Sequence, residues 1–250
     1  MRRAVAALAA AVLLAGCGAN PGNNVSGSAP AASAPVSAGP SKPASNGVAA
    51  LEPDAIVEKA KAALTEAKSF RVKGNVREDN QSFRVDFKIR GADVVGAMTV
   101  GKAKIEVLRV GKQQFIRPNQ AFWKMSTGSA KQAETIMTVL NGRWVKVSAK
   151  DKDFAEFFSV TGVDKLLDPD GKVVKGEIQT VDGKQAIALK DSGSEPGTLF
   201  VATEGEPYPL RIDGPTPADG GIRFSDFGAT FTDLTAPAAT QVIDLAKLAG

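Results

Sequence analysis

Residues 70–90 read FRVKGNVREDNQSFRVDFKIR, and in this stretch apolar residues alternate with charged or polar ones on both sides of a turn at Asp79 and Asn80. Successive side chains of a strand point to opposite faces, so strict alternation predicts strands with one apolar face and one wet face. The polar turn between the two runs predicts that they pair as an antiparallel hairpin.

Segments of the same kind follow this hairpin along the chain. Short alternating runs occupy residues 94–100, 104–110 and 113–117, and more follow at residues 143–148 and between residues 174 and 227. Short strands joined by tight turns are typical of a meander. We therefore expect about 10–12 strands in a single antiparallel sheet.

Helical spacing of apolar residues marks the remaining segments. Residues 55–68 and 129–140 each place apolar side chains on one side, and Phe154, Phe157 and Phe158 share one side of a further short helix. A sheet with one apolar face must bury that face against another element. The expected fold is α+β: a single curved antiparallel sheet, or half-barrel, with helices covering its concave face.

The amino terminus has the features of a bacterial lipoprotein signal. Arg2 and Arg3 precede an apolar run at residues 4–14, which is too short to span a bilayer. The run leads into Leu-Ala-Gly-Cys, a lipobox that ends at Cys17. We predict that the signal peptide, residues 1–16, is removed and that Cys17 carries a diacylglycerol. The alternative is a buried cysteine behind an uncleaved helix.

The segment behind Cys17 differs in composition from the rest of the chain. Residues 18–50 are almost wholly Gly, Ala, Pro, Ser and Asn, with Lys42 as the one charged residue. Such a segment cannot bury enough apolar surface to offset the entropy of ordering it. We therefore predict a lipidated, disordered stalk at residues 17–50, and one domain at residues 51–250, which is a usual domain size.

Composition argues against several classes of function. The chain has no histidine and its only cysteine is Cys17, so the commonest general base, thiol nucleophiles and zinc sites are unavailable. Of 31 basic residues, Arg2 and Arg3 leave with the signal, and the remaining 29 nearly balance 27 acidic residues, which disfavours nucleic acid. We expect no enzyme activity, cofactor, metal or nucleic-acid partner, although catalysis by carboxylates alone stays open.

The order of these features resembles a known family. The features that carry the resemblance are, in chain order, the lipobox, the polar stalk, the helix end at Ala67-Lys68-Ser69-Phe70, the Phe122-Trp123 step, the Asp182-Gly183 hairpin, and a tail with Asp226-Phe227, Ala236-Pro237 and Val242-Ile243. Together they look like actinobacterial lipoproteins of the LppX and LprG group, which are LolA-like half-barrels. The resemblance covers most of residues 51–244 and implies a protein that holds lipids or glycolipids between sheet and helices.

Candidate residues for the lining of such a cavity come from the apolar strand faces and from the helices. They are Val72, Val85, Phe87, Ile89, Met98, Val100, Ile105, Val107, Ile136, Met137, Leu140, Phe154, Phe157 and Phe158. They form either a sealed core or a hollow for acyl chains, in which each buried methylene contributes about 0.8 kcal/mol. The basic residues on the opposite strand faces, such as Arg71 and Lys88, are either solvated or in contact with anionic headgroups.

Two functions are consistent with these patterns. The leading hypothesis is a carrier, anchored by lipid on Cys17 to the outer face of the cytoplasmic membrane, that binds lipid or glycolipid acyl chains and moves them outward. An envelope transporter is then a candidate partner. The alternative is an envelope sensor or protein-interaction module with a closed core and no lipid. A continuous cavity favours the carrier, and a sealed core favours the module.

Replacement of Cys17 with alanine tests the anchor. We expect the wild-type protein to exceed the mass of its polypeptide by a lipid modification, and the Cys17→Ala variant to lack this addition because no other thiol is present. Intact-mass spectrometry of the membrane fraction measures both. A Cys17→Ala protein that stays membrane-bound with unchanged mass would contradict the lipoprotein interpretation.

Overall fold

The computed structural model describes residues 44–78, 81–148, 158, 166–194 and 196–244. In this part of the chain, twelve strands form one open, curved and mostly antiparallel sheet, accompanied by three α-helices. The predicted fold class is therefore confirmed.

The sheet consists of two meanders that meet at its centre. The strands are β1 Ser69–Glu78, β2 Gln81–Arg90, β3 Asp93–Val100, β4 Ala103–Val110, β5 Gln113–Pro118, β6 Trp144–Val147, β7 Val173–Val181, β8 Lys184–Asp191, β9 Gly197–Ala202, β10 Pro209–Asp213, β11 Gly220–Ser225 and β12 Val242–Asp244. Their order across the sheet is β12-β6-β5-β4-β3-β2-β1-β11-β10-β9-β8-β7. The antiparallel pair β1–β11 joins the two meanders, and β12 runs parallel to β6.

The helices are α1 Pro53–Ala67, α2 Gln120–Thr127 and α3 Ala130–Leu140. Those predicted at residues 55–68 and 129–140 are confirmed within two residues at each end. The α2 helix was not predicted, because it is only 8 residues long. Of the predicted third helix, Phe154 and Phe157 lie outside the described residues.

One face of the sheet, which we call the inner face, shares a single apolar core with the helices. The buried members of this core include Ile56 and Leu64 of α1, Leu140 of α3, and Phe70, Val72, Phe87, Ile89, Val107, Ile116 and Val145 of the sheet. Full burial of such a side chain contributes about 1.5–3 kcal/mol. The alternation in residues 70–90 therefore places its apolar residues on the helix-covered face.

The opposite, outer face is crossed by the segment between β11 and β12, residues 226–241, which we call the C-terminal strap. Phe231 and Leu234 of the strap form an apolar cluster with Leu108 and Phe115 of the outer face. The backbone N–H of Gly228 also donates to the carbonyl of Ser69 at 2.8 Å. The strap thus supplies an additional, smaller core that the sequence did not predict.

The folded body begins earlier than the predicted boundary at residue 51. The side-chain amide of Asn46 donates to the carbonyls of Ala202 at 3.0 Å and Gly205 at 2.9 Å. Val48 is buried in the main core. The described part of the predicted stalk, residues 44–50, therefore packs against the body.

Glycines inside strands allow neighbouring backbones to approach closely where the sheet bends. A Cβ atom on Gly74 would overlap the carbonyl oxygen of Gly221 on β11. A Cβ atom on Gly96 would overlap the carbonyl oxygen of Asp86 and lie 2.8 Å from the Cα of Phe87. Glycine in a strand interior commonly marks such a close approach.

Gly96→Ala tests this packing. Because the added methyl overlaps backbone atoms of β2, we expect a loss of about 1–3 kcal/mol in the free energy of unfolding. Urea titration measures the loss. The control is Gly176→Ala on the edge strand β7, where the nearest atom to the new Cβ is the Ala188 Cβ at 3.2 Å. Equal stability of the two variants would contradict the explanation.

Candidate functional site

A row of apolar positions crosses the inner face in direct register. From β9 to β3 it consists of Leu199, Ile212, Ile222, Gly74, Val85 and Met98. Neighbouring strands are about 4.8 Å apart, so the row is about 24 Å long. We call its five side chains, those of Leu199, Ile212, Ile222, Val85 and Met98, the apolar trough.

The trough differs from the next row of the inner face in its exposure to solvent. Its side chains are half-buried and pack against the edge of the core. In the neighbouring row, Val72 is 2% exposed, Phe87 5%, Val107 1% and Phe224 5%. At the centre of the trough, Gly74 adds no side chain. Apolar surface therefore stays accessible along one side of the main core.

One end of the trough lies beside α1. A hollow of about 210 Å³ is lined there by Leu199 and Ile212 of the trough, together with Val57, Leu167 and Leu189. Val57 belongs to the buried side of α1. The trough thus begins in a recess between helix and sheet that is lined by these apolar side chains and by the polar residues Asp168, Asp191 and Thr198.

At the other end of the trough, Met98 pairs with Ile105 of β4, the strand that helix α2 contacts. Phe122, Trp123 and Ile136 of the hairpin formed by α2 and α3 are half-buried and pack against the same core as Met98. The rings of Phe122 and Trp123 meet edge to face with centroids 5.6 Å apart. The indole Nε1 of Trp123 is buried and has no acceptor among the described residues.

Asn119 fixes the start of α2 next to the β3–β4 turn. Its side-chain oxygen accepts from the backbone N–H of Phe122 at 2.9 Å, which caps the helix, and from that of Lys104 at 3.0 Å. Its amide donates to the carbonyl of Lys102 at 2.9 Å. This one side chain therefore holds the hairpin at the Met98 end of the trough.

The sequence-predicted lining residues divide into two groups. Val85, Met98, Val100, Ile136 and Met137 are half-buried. Val72, Phe87, Ile89, Ile105, Val107, Leu140 and Phe158 are buried. Phe154 and Phe157 lie outside the described residues. That these side chains contact a ligand stays a prediction.

Three trough residues, Leu199, Ile212 and Ile222, were not among the predicted site residues. Each belongs to a short strand that was predicted, and each alternates with residues of the outer face. The signal was therefore present in the sequence. They lie in the same row as Val85 because β1 pairs with β11, and these strands are about 150 residues apart in the sequence.

The outer face carries charges that are paired with one another. The guanidinium of Arg71 donates two hydrogen bonds of 2.7 Å to the carboxylate of Asp86, and this contact lowers the pKa of Asp86. Lys88 donates to Asp233 of the strap at 2.6 Å. The basic residues of this face were predicted either to be solvated or to contact anionic headgroups. Their pairing with carboxylates favours the interpretation without lipid headgroups.

The hollows of the outer face have linings that combine charged residues with apolar ones such as Val95 and Leu108. One of about 430 Å³ under the strap is lined in part by Arg71, Asp86, Glu106, Arg117 and Trp144. Burial raises the pKa of Glu106, but hydrogen bonds from Lys104 and Arg117 outweigh it and lower the pKa. Acyl chains placed there would desolvate charged groups at a cost. The inner face is the better candidate for an apolar ligand.

In the described ranges, no helix is long and apolar enough to cross a membrane. Within the same ranges, no cluster of three or more His, Cys, Asp or Glu side chains could hold a metal ion.

Comparison with known proteins gives similar folds but no sequence relatives. No protein-family model matches the chain, and no curated protein matches it. Among solved structures, LprF from Mycobacterium bovis is 14% identical with a TM-score of 0.49, over 75% of this chain and 97% of that one. The lipoprotein LppX from Mycobacterium tuberculosis is 15% identical with a TM-score of 0.42, over 69% and 92% of the two chains. LppX belongs to the group that the sequence resembles.

Asp86→Asn tests the contribution of the outer-face pairs. Because the folded-state pKa of Asp86 is lowered, its stabilisation is present above the unfolded value of about 3.9 and is lost as pH falls through the folded pKa. We expect the variant to be less stable than wild type at neutral pH and the difference to shrink near pH 2. Urea unfolding at both pH values measures it. The exposed Glu206→Gln serves as control, and a difference independent of pH would contradict the assignment.

Proposed function

We propose that this protein binds the acyl chains of lipids or glycolipids on its inner face and carries them at the outer surface of the cytoplasmic membrane. The observation that supports this best is the apolar trough, which keeps accessible apolar side chains in register over six strands. In a sealed core, we would expect this row to be as buried as the neighbouring row. The lipobox at Cys17 supports the location.

The dimensions of the trough suit acyl chains. One chain spans half of the bilayer hydrocarbon core, about 15 Å. The trough is longer, about 24 Å by strand spacing. Its walls are aliphatic or thioether side chains, which impose little directional preference on a ligand. Fatty acyl groups therefore match it better than compact polar molecules do.

The energy of burial indicates what kind of lipid is retained. Ten methylenes laid along the trough contribute about 8 kcal/mol, at about 0.8 kcal/mol each. Association itself costs about 4 kcal/mol or more, which leaves one short chain with weak affinity. Lipids with more than one acyl chain are therefore favoured over free fatty acids.

The polar end of the lipid belongs at the α2–α3 end of the trough. The buried indole N–H of Trp123 lies there without an acceptor among the described residues. An unpaired buried donor costs about 1–3 kcal/mol. An ester carbonyl of a glycerolipid would accept from this N–H and remove the cost.

Anchoring gives the carrier access to its ligand. A lipid on Cys17 keeps the body close to the bilayer, which raises the effective concentration of membrane lipid around it. The predicted stalk would let the body turn between donor and acceptor. The proposal includes outward transfer to an envelope transporter, and no chemical step is required of the protein.

Lipid retention is tested with the chain from residue 18 to residue 250, so that any lipid found is ligand and not anchor. Native mass spectrometry and organic extraction identify what copurifies from a bacterial host. Met98→Trp should reduce the bound lipid severalfold with little change in stability, because an accessible trough tolerates added volume. The matched control is Thr99→Trp, whose side chain points to the outer face.

Two results would contradict the carrier, and a third would contradict the trough as its binding site. Wild type without copurifying lipid would favour the interaction module. Unfolding of Met98→Trp, but not of Thr99→Trp, would indicate a sealed core. Equal lipid content in both variants would place the ligand elsewhere.

A further inference from the structure

We propose that the α2–α3 hairpin is a docking surface for an anionic lipid bilayer, so that the Met98 end of the trough faces the membrane. The inference deepens the proposed function, because it states where lipid would pass between bilayer and protein. It rests on the exposure, charge and hydrogen bonding of the hairpin, which are independent of the trough itself.

The hairpin exposes more apolar surface than a helix pair on a sheet requires. Met125 of α2 is 57% exposed and Val139 of α3 is 56% exposed. They follow Phe122 and Ile136 by three positions, so each lies next to a half-buried apolar residue on the surface of its helix. Helix α2 has no fully buried residue. Apolar side chains thus extend from the core edge to the solvent side of both helices.

Unpaired cations surround this apolar surface. In the part of the chain that the structure describes, the ammonium groups of Lys102, Lys124 and Lys131 form no salt bridge. All three residues are exposed. The hairpin carries one acidic residue, Glu134.

The polar side chains of the hairpin are already satisfied by its own backbone. The hydroxyls of Thr127, Thr135 and Thr138 donate to the carbonyls four residues earlier, at 2.8, 3.0 and 2.9 Å. Internally bonded hydroxyls lose little when water is removed. The exposed side of the hairpin therefore behaves as a less polar surface than its threonines suggest.

These features together match an interfacial helix pair. Apolar and aromatic residues flanked by lysines allow a helix to lie in the headgroup region, with the cations drawn to anionic lipids. Asn119 fixes the hairpin beside the β3–β4 turn, which brings Lys102 to the same end of the molecule. A lipid moving between bilayer and trough at this end would avoid a passage through water.

Vesicle binding by the chain from residue 18 to residue 250 tests the proposal. The chain contains two tryptophans, so a Trp144→Phe background leaves Trp123 as the sole reporter. With phosphatidylcholine vesicles that contain about 30% phosphatidylglycerol, we expect a blue shift of Trp123 emission and cosedimentation. Pure phosphatidylcholine and high salt should both weaken binding at least severalfold.

Matched variants separate docking from general surface effects. The double variant Met125→Asp/Val139→Asp should bind about tenfold more weakly, and Lys124→Glu/Lys131→Glu should lose the dependence on phosphatidylglycerol. The control is Val174→Asp/Ile178→Asp on β7, whose residues are 49% and 51% exposed. It should bind as wild type does. Circular dichroism verifies that each variant is folded. Cosedimentation of the same variants without the Trp144→Phe change verifies that this change does not alter binding.

Three outcomes would contradict the docking proposal. The first is that the wild-type chain does not bind vesicles, and the second is that the β7 control loses as much vesicle binding as the hairpin variant. The third is self-association of the chain through the hairpin, detected by sedimentation and abolished by Met125→Asp. Lipid extraction distinguishes the two proposals. A protein that retains lipid but does not bind vesicles rejects docking alone, whereas one that binds vesicles but retains no lipid rejects the carrier.

Discussion

A sheet with one apolar face has to cover that face, and the described helices of this protein cover it unevenly. Helix α1 contacts β1 and β7, whereas α2 contacts β4. Between these contacts the row through Ile222, Val85 and Met98 stays half-buried, although the neighbouring row through Val72 and Phe87 is sealed. Among the described residues, twelve strands share three α-helices, and Phe158 and Leu167 add to the cover of the main core.

The apolar side chains of the outer face are buried in a different way. Its polar residues pair across strands, as Arg71 does with Asp86. Some of its apolar residues are covered by Phe231 and Leu234 of the strap, and others, such as Ala188, Phe200 and Leu210, form a separate cluster. Lys88 ties the strap down through Asp233. Exposed ion pairs contribute little stability each, so their main effect is to keep this face polar and hydrated.

Local patterns in the sequence were sufficient to predict the strands and the longer helices. Alternation in residues 70–90 gave the hairpin and its apolar face, and Val85 and Met98 were correctly placed on strands of that face. The strap was missed because Phe231 and Leu234 stand in a segment of Asp, Thr and Pro without periodicity. Pairing of β1 with β11, and hence the trough as a row, depends on contacts between distant segments that no local pattern encodes.

The α2–α3 hairpin combines weak burial with firm local capping. Asn119 and Ser129 cap its two helices, so the hairpin can keep its own structure while making few core contacts. Of α3, Ala133 and Leu140 are fully buried, and no residue of α2 is. Elements with little buried apolar surface open at the lowest free energy. Helix α2 is therefore held at the Met98 end mainly by the hydrogen bonds of Asn119 to the β3–β4 turn and by the half-buried packing of Phe122 and Trp123.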